Sequence, residues 1–141
     1  MKEFKSKVGY EILIPVLVIL TGTIIWPVID GAPMKTIITI IAIILPVTLF
    51  ILHMFFRTTY SINEKNELLI KCGFLFNSKV DISKIKSVSK TRNLISSPAP
   101  SLDRIALKYG KWDSAIISPK DKTRFIEELL KINPSIENKL K

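Results

Sequence analysis

The feature that most constrains this chain is a run of 21 residues without a charged side chain, TIITIIAIILPVTLFILHMFF, from Thr36 to Phe56. At about 1.5 Å per residue, a helix of this length spans roughly 30 Å, the thickness of the hydrocarbon core of a bilayer. A second apolar run, ILIPVLVILTGTIIWPVI, precedes it at Ile12–Ile29. Only DGAPMK, with one Gly and one Pro, separates the two runs. The sequence therefore predicts a transmembrane hairpin with spans at about 12–29 and 36–56.

The charged residues are divided unevenly along the chain. Residues 1–56 hold four Lys and three acidic side chains, whereas residues 57–141 hold 17 Lys or Arg and nine acidic side chains. Under the positive-inside rule, this distribution predicts that both termini are cytoplasmic and that the turn lies outside. A cleaved secretory signal is the alternative for residues 12–29. We favour a true span because the run is long for a signal and a second span follows directly.

The pattern after the second apolar run changes to an alternation typical of β-strands. Residues 60–62 and 68–72 alternate around the polar turn 63–66, which predicts an antiparallel hairpin. In the segment 103–109, Ile105 and Leu107 fall on one face and Ala106 on the other. About six short strands in one meander predict a small barrel or sandwich. The further extended runs lie at 76–83, 84–91 (an edge or half-buried strand) and 113–118.

The end of the chain has the start and stop signals of an amphipathic helix. Ser118 is the predicted N-cap, Pro119 suits the first helical position, and Asp121 completes a capping box. Asn133 and Pro134 end the helix. We expect this helix to pack across the open end or side of the barrel, because it cannot be stable alone. Its apolar face consists of Phe125, Ile126, Leu129 and Leu130.

A meander of strands followed by one amphipathic helix is the element order of a pleckstrin-homology (PH) fold. The segments SSPAPSLDRIALKY, IISPKDKTRFIEEL and NPSI, behind two apolar runs, resemble the YyaB-like family of bacterial PH-domain membrane proteins. The resemblance implies an N-terminal two-helix transmembrane hairpin (1–57), a PH-like small β-barrel or sandwich with a C-terminal α-helix (58–136) and a polar tail (137–141). It also implies residence in the bacterial cytoplasmic membrane.

Two functions are compatible with this resemblance. The first is a non-catalytic module that binds or recruits a protein partner, not identified from the sequence, at the inner leaflet. The second is a membrane protein similar to the immunity proteins that protect a cell against a membrane-active bacteriocin. The turn INEKNE lacks the cluster of Lys and Arg that phosphoinositide-binding PH domains share, so we expect no specific inositol-lipid site.

A basic stretch provides candidate contacts with the membrane surface. In a regular strand Lys84, Lys86 and Lys90 would share one face, interrupted only by Val88. Near an anionic inner leaflet each contributes about 1 kcal/mol of attraction. The alternative is a solvated strand face that prevents edge pairing. We expect no nucleic-acid binding, because aromatic residues do not interleave with this stretch.

The loop from Arg92 to Ser101 is the most site-like segment of the sequence. It is rich in Ser and Pro, and an acid and a base follow it directly. We expect Arg92 or Arg104 to pair with Asp103. These residues either form a groove for a ligand or peptide or hold a long crossover in place, and the second interpretation is favoured. The candidate binding-loop residues are Arg92, Ser97, Ser101, Asp103 and Arg104.

The sequence offers little for catalysis. His53, the single histidine, falls in the second apolar run, and Cys72, the single cysteine, falls in a predicted strand, where we expect a reduced packing residue. Converging metal ligands and a Gly-rich phosphate loop are also missing from the sequence. We therefore predict that the protein is not an enzyme and has no cofactor and no metal site.

Overall fold

A computed structural model of the 141-residue chain describes residues 1–74, 76–93 and 99–140. Three α-helices and eight β-strands are present in these ranges. In chain order they are β1 (Lys2–Lys5), α1 (Tyr10–Ile29), α2 (Met34–Phe56), β2 (Thr58–Ile62), β3 (Glu67–Cys72), β4 (Phe76–Asp81), β5 (Ile85–Thr91), β6 (Arg104–Tyr109), β7 (Asp113–Ile117), α3 (Lys122–Ile132) and β8 (Glu137–Lys139).

The helices α1 and α2 form the predicted hairpin. They are joined by a short turn in which Gly31 adopts φ +74°, a conformation that favours glycine. Leu13 is the one buried residue of α1, and α2 has none. Both helices are long and apolar enough to cross a membrane by length and composition. Because their apolar side chains lack a protein core to pack against, the two helices suggest membrane association.

The strands form two four-stranded sheets. The first has the order β1-β2-β3-β4 and is antiparallel throughout. The second has the order β7-β6-β5-β8, in which β8 pairs with β5 in parallel. The six predicted strands are confirmed. β5 is half-buried, one of the two predicted alternatives, and lies inside its sheet rather than at an edge. Two strands were not predicted: β1, within the segment assigned to the hairpin, and β8, within the segment expected to be a polar tail.

The core lies between the two sheets and α3. It contains Tyr60, Leu68 and Ile70 from the first sheet and Val88 and Leu107 from the second, all at most 2% exposed. The helix α3 closes the core, as expected from its apolar face. The residues that it buries there are Phe125, Ile126 and Leu129.

The start of α3 differs from the prediction. Its N-cap is Asp121, whose carboxylate accepts a hydrogen bond from the backbone N–H of Arg124 at 3.1 Å. Ser118 was predicted as the cap, but the chain is still extended there, because Pro119 forms a β-bridge with Ser6. The predicted end of the helix is confirmed. Asn133 forms the C-cap and its side-chain amide donates to the carbonyls of Ile82 and Ile85.

Both apolar helices join the β-rich unit at one end. β1 ends five residues before α1 begins, and only Arg57 separates α2 from β2. The backbone N–H of Ser6 donates to the carbonyl of Thr58 at 3.0 Å, which brings the two connections together. We call residues 5–9, 57–58, 72–74, 99–104 and 118–122 the helix-proximal end. The far end lies at the opposite ends of β2 and β3 and consists of residues 63–66 and 82–84. These two segments meet where the N–H of Ile82 donates to the carbonyl of Asn66.

Candidate functional site

The loop before β6 is fastened to the segment that leads into α1. The N–H of Gly9 donates to the carbonyl of Pro100 at 3.1 Å. A Cβ at Gly9 would lie 2.3 Å from that oxygen, so this approach requires glycine. Beyond it, the carboxylate of Glu11 accepts hydrogen bonds from the hydroxyl of Ser101 at 2.9 Å and from the N–H of Leu102 at 3.1 Å. Ser101 is fully buried, and its hydrogen bond to Glu11 holds the loop against the start of α1.

Arg104 is the central support of the same loop. Its side chain is buried, and it donates to three backbone carbonyls, those of Ser101 at 2.6 Å, Ala99 at 2.8 Å and Asn93 at 2.9 Å. Burial lowers the pKa of the guanidinium. The expected pair with Asp103 is not formed, because all three of these contacts are with carbonyl oxygens. Arg104 therefore acts on the shape of the loop.

Asp103 pairs with two lysines instead. Its carboxylate accepts hydrogen bonds from Lys122 and, at 3.2 Å, from Lys7. The bond from Lys122 is the main reason why the pKa of Asp103 is lowered. Because Lys7 precedes α1 and Lys122 begins α3, Asp103 joins three separate segments at the helix-proximal end.

Arg92 remains exposed and lines a hollow of about 450 Å³ with Lys90, Glu11, Leu102 and Asp103. Of the five candidate loop residues, Ser97 lies outside the described residues. The structure thus brings Asp103 and Arg92 to one hollow, whereas Ser101 and Arg104 are buried supports.

A second and larger groove, of about 800 Å³, lies between β1 and the start of α3. We call it the cationic groove, because Lys2, Lys5, Lys120, Lys122 and Arg124 all line it. The two walls are joined by a hydrogen bond of 3.0 Å from the N–H of Lys120 to the carbonyl of Lys5.

A buried polar cluster lies behind this groove. The hydroxyl of Ser6 lies 3.2 Å from the hydroxyl of Tyr60 and 3.0 Å from that of Ser118, and the N–H of Ser118 donates to the Tyr60 oxygen at 3.1 Å. Burial raises the pKa of Tyr60. The cluster attaches the segment between β1 and α1 to the core, so the N-terminal segment is part of the β-rich unit.

Comparison with known families gives a match over the β-rich unit. The family model described as bacterial PH domain matches residues 58–133, more than half of the chain. The chain belongs to the bacterial PH domain family. No curated protein and no solved structure matches the chain. The strand β1 precedes the matched residues, so this PH domain receives an additional edge strand from the other side of the helical hairpin.

The predicted basic face assumes a regular strand from residue 84, and the structure interrupts that strand. Lys84 ends the 3₁₀ turn 82–84 at the far end, and Lys86 lies at a bulge that breaks the alternation of β5 between Ile85 and Ser87. Lys90 alone of the three lines the hollow beside Glu11, at the start of α1. All three lysines are exposed, and their contact with the membrane surface stays a prediction.

Lys5 and Lys120, two cations of the cationic groove, were not predicted as site residues, because the elements that carry them differ from the prediction. Lys5 belongs to a strand that the sequence analysis did not expect, and Lys120 was assigned to a helix that in fact begins later. The alternation of Glu3 and Lys5 around Phe4 was an available signal for a short strand.

Cys72 and His53, the two residues considered as possible catalytic groups, both lie in packing environments. Cys72 is buried, and its sulfur accepts a hydrogen bond from the hydroxyl of Thr58 at 3.2 Å. His53 contacts the ring of Phe74, with 5.4 Å between ring centroids. Within residues 1–74, 76–93 and 99–140, no group of three or more His, Cys, Asp or Glu side chains could hold a metal ion.

Proposed function

We propose that the protein is a membrane-anchored PH domain that acts as a non-catalytic binding or recruitment module at the inner leaflet of a bacterial cytoplasmic membrane. The observation that carries this proposal is that α1 and α2 both join the PH domain at its helix-proximal end. The connections are short and hydrogen-bonded, through Ser6 and Thr58 on one side and Gly9 and Pro100 on the other. A domain attached in this way is held in a defined orientation to the membrane.

The position of β1 supports a hairpin with both termini in the cytoplasm. β1 precedes α1, and β2 follows α2, yet the two strands pair from Lys2 with Ile62 to Lys5 with Thr59. A hairpin that leaves and returns on the same side of the membrane satisfies this pairing, whereas a single crossing does not. The excess of Lys and Arg after residue 57 favours the cytoplasmic side.

An aromatic contact supports the fixed orientation. Phe74, in the turn after β3, lies 6.0 Å from Phe50 and 5.4 Å from His53 of α2, measured between ring centroids. Gly73 in the same turn donates its N–H to the carbonyl of Arg57 at 3.2 Å. The PH domain therefore contacts α2 beyond the covalent connection, which limits rotation of the domain on the hairpin.

The non-catalytic role rests on the surroundings of the candidate residues. Ser101 and Arg104 are engaged in holding a loop, and Asp103 is engaged by two lysines. In this proposal the basic helix-proximal end faces the anionic lipids, and the remaining surface of the PH domain is open to a protein partner. Assignment to the YyaB-like subfamily is part of the same proposal.

An immunity-type protein is the second candidate, favoured by the exposure of α1 and α2. Large apolar side chains such as Ile19, Ile25 and Ile43 are 50% or more exposed and are available to pack against another membrane protein or a membrane-active peptide. In this case the hairpin, rather than the PH domain, makes the functional contact.

A variant without the hairpin separates the two candidates. Residues 1–9 are retained, because β1 belongs to the PH domain, and are joined to residues 57–141 by a short Gly/Ser linker. Cooperative thermal unfolding of this variant serves as the control for folding. Recruitment through the PH domain predicts that the variant and the full-length protein capture the same companion after cross-linking. Capture that requires the hairpin, together with protection against a bacteriocin in the full-length protein alone, would support the immunity function instead.

A further inference from the structure

We propose that the cationic groove binds the phosphate of an anionic phospholipid headgroup. This inference rests on the proposed function, because it assumes that α1 and α2 lie in a bilayer, and it names the ligand that the helix-proximal end of the PH domain takes. The groove is formed by β1 and the start of α3. The turn 63–66, which lacks the Lys and Arg cluster of phosphoinositide-binding PH domains, lies at the far end.

The charge of the groove is only partly compensated by the protein. Lys2 pairs with Glu128, and Lys122 pairs with Asp103. The remaining three, Lys5, Lys120 and Arg124, form no ion pair with any residue in the described part of the chain. Three unpaired cations around one concave surface attract an anion, and Arg124 offers the planar fork of donors that suits a phosphate.

The acidic side chains of the groove do not cancel this attraction. Asp103 is held between Lys7 and Lys122, and the carboxylate of Asp121 accepts the N–H of Arg124 as the helix cap. Glu3, the third acid that lines the groove, belongs to the exposed strand β1. A backbone N–H does not neutralise a carboxylate, so Asp121 and Glu3 are the two acids of the groove that lack an ion pair with the described residues. The three unpaired cations outnumber these two acids, and the groove keeps a net positive charge.

The position of the groove determines the source of the phosphate. The N–H of Leu102, next to Asp103, donates to Glu11 in the first turn of α1. Lys122 contacts Asp103, and Lys5 lies five residues before α1. Both residues therefore lie beside the point where the chain enters the apolar helix. At this level of a bilayer the phosphates of lipid headgroups are the most concentrated anions, so a lipid is the expected ligand.

Hydrogen–deuterium exchange of the full-length protein in nanodiscs tests the proposal. One set of nanodiscs contains phosphatidylcholine alone, and the other contains increasing fractions of phosphatidylglycerol. We expect phosphatidylglycerol to slow amide exchange in residues 1–7 and 119–126, which form the walls of the groove. Free glycerol phosphate added to the phosphatidylcholine nanodiscs distinguishes a lipid from a soluble phosphate. Protection by free glycerol phosphate equal to that by the lipid would overturn the assignment to a headgroup.

Two triple variants with the same change in net charge complete the experiment. Lys5→Gln, Lys120→Gln and Arg124→Gln together remove the unpaired cations of the groove. Lys65→Gln, Lys108→Gln and Lys111→Gln remove three exposed lysines elsewhere on the PH domain.

The first triple variant should need roughly tenfold to hundredfold more phosphatidylglycerol for half-maximal protection, given the attraction of each cation near an anionic surface. The second should resemble the original protein. Equal loss in both variants, or no effect of phosphatidylglycerol on the original protein, would contradict the proposal. Because nanodiscs expose lipid on both faces, this experiment does not depend on the orientation of the protein in the cell. Failure would therefore contradict the lipid site without contradicting the cellular orientation or the recruitment role.

Discussion

The apolar side chains of the hairpin and those of the PH domain have opposite surroundings. In α1 and α2 only Leu13 is buried, although both helices consist almost wholly of apolar residues. In the PH domain Tyr60, Phe125 and Leu129 are completely buried between two sheets and a helix. The PH domain makes its own core, whereas the helices α1 and α2 leave their apolar side chains exposed to other surroundings, which in the proposed function are lipid.

The N-terminal nine residues join these two units. They form a strand of the PH domain and contribute Ser6 to its buried polar cluster, but they precede the first apolar helix. The hairpin is therefore an insertion between two paired strands of one sheet. If this comparison is correct, substitutions of buried residues in the domain should change its stability strongly, and substitutions on the exposed surfaces of α1 and α2 should not.

The largest effect is expected from Phe125→Ala. Phe125 is completely buried and packs edge to face against Phe4, with ring centroids 5.2 Å apart. Its loss should lower the free energy of unfolding of the PH domain by about 3–5 kcal/mol. The matched substitution Ile25→Ala, on the exposed surface of α1, should leave that free energy within about 0.5 kcal/mol. Denaturant unfolding in detergent measures both, and equal destabilisation by the two substitutions would contradict the difference between the buried core and the exposed helices.

The next effect is expected from Arg104→Ala. This change leaves the buried carbonyls of Ala99 and Ser101 without their donor and should cost about 2–3 kcal/mol. Arg92→Ala, at an exposed position of the same region, is the control and should be nearly neutral. Thermal unfolding and protease resistance of the 99–103 segment are the measurements. A neutral Arg104→Ala would mean that the loop does not depend on the guanidinium.

A smaller effect is expected from Tyr60→Phe. The Tyr60 oxygen accepts the N–H of Ser118 and contacts the hydroxyl of Ser6, so its removal leaves buried polar groups with fewer partners. The cost should be about 1–2 kcal/mol by denaturant unfolding. Tyr109→Phe, where the hydroxyl has no hydrogen bond to the described residues, should have little effect and serves as the control. Equal effects would show that the polar cluster does not stabilise the junction with β1.

The smallest effect concerns pH. Hydrogen bonds from Lys131 and Lys2 lower the pKa of Glu128 to about 2, from an ordinary value of 4.5. Because the pKa is lower in the folded state, the contribution to stability is complete above about pH 4.5 and is lost as the pH falls toward 2. Glu128→Gln should therefore reduce the decrease in melting temperature between pH 6 and pH 3.

Glu127→Gln, at the adjacent exposed position, is the control for this prediction. It should retain the pH dependence of the original protein. An unchanged profile in Glu128→Gln would show that the pair between Lys2 and Glu128 does not attach β1 to α3.

Much of the fold was predictable because its signals are local. The uncharged runs predicted α1 and α2, the alternation of residues 103–109 predicted β6, and the apolar face with Phe125 and Leu129 predicted α3. The strands β1 and β8 were not predictable in the same way. They are short and largely exposed, and they exist because β2 and β5 offer free edges to them.

The candidate site was predicted less well, because it depends on contacts between distant segments. Asp103 was expected to pair with a neighbouring arginine, but Lys7 and Lys122 lie closer once β1 and α3 are in place. Ser118 has the sequence of a helix cap, yet the bridge of Pro119 with Ser6 keeps the chain extended. The pairings of Lys7 with Asp103 and of Ser6 with Pro119 join residues about 100 positions apart, and the pairing of Lys122 with Asp103 joins residues 19 positions apart. Local patterns carry no information about any of them.

In the proposed arrangement the hairpin crosses the membrane twice and returns the chain to the cytoplasmic side, where β1 and β2 pair. Labelling of intact cells with a membrane-impermeant maleimide tests it most directly, with one cysteine introduced at Ala32, between the helices, or at Lys65, in the far turn of the PH domain. The account predicts that Ala32→Cys is labelled in intact cells and Lys65→Cys only after lysis. Labelling of Lys65→Cys in intact cells would contradict it.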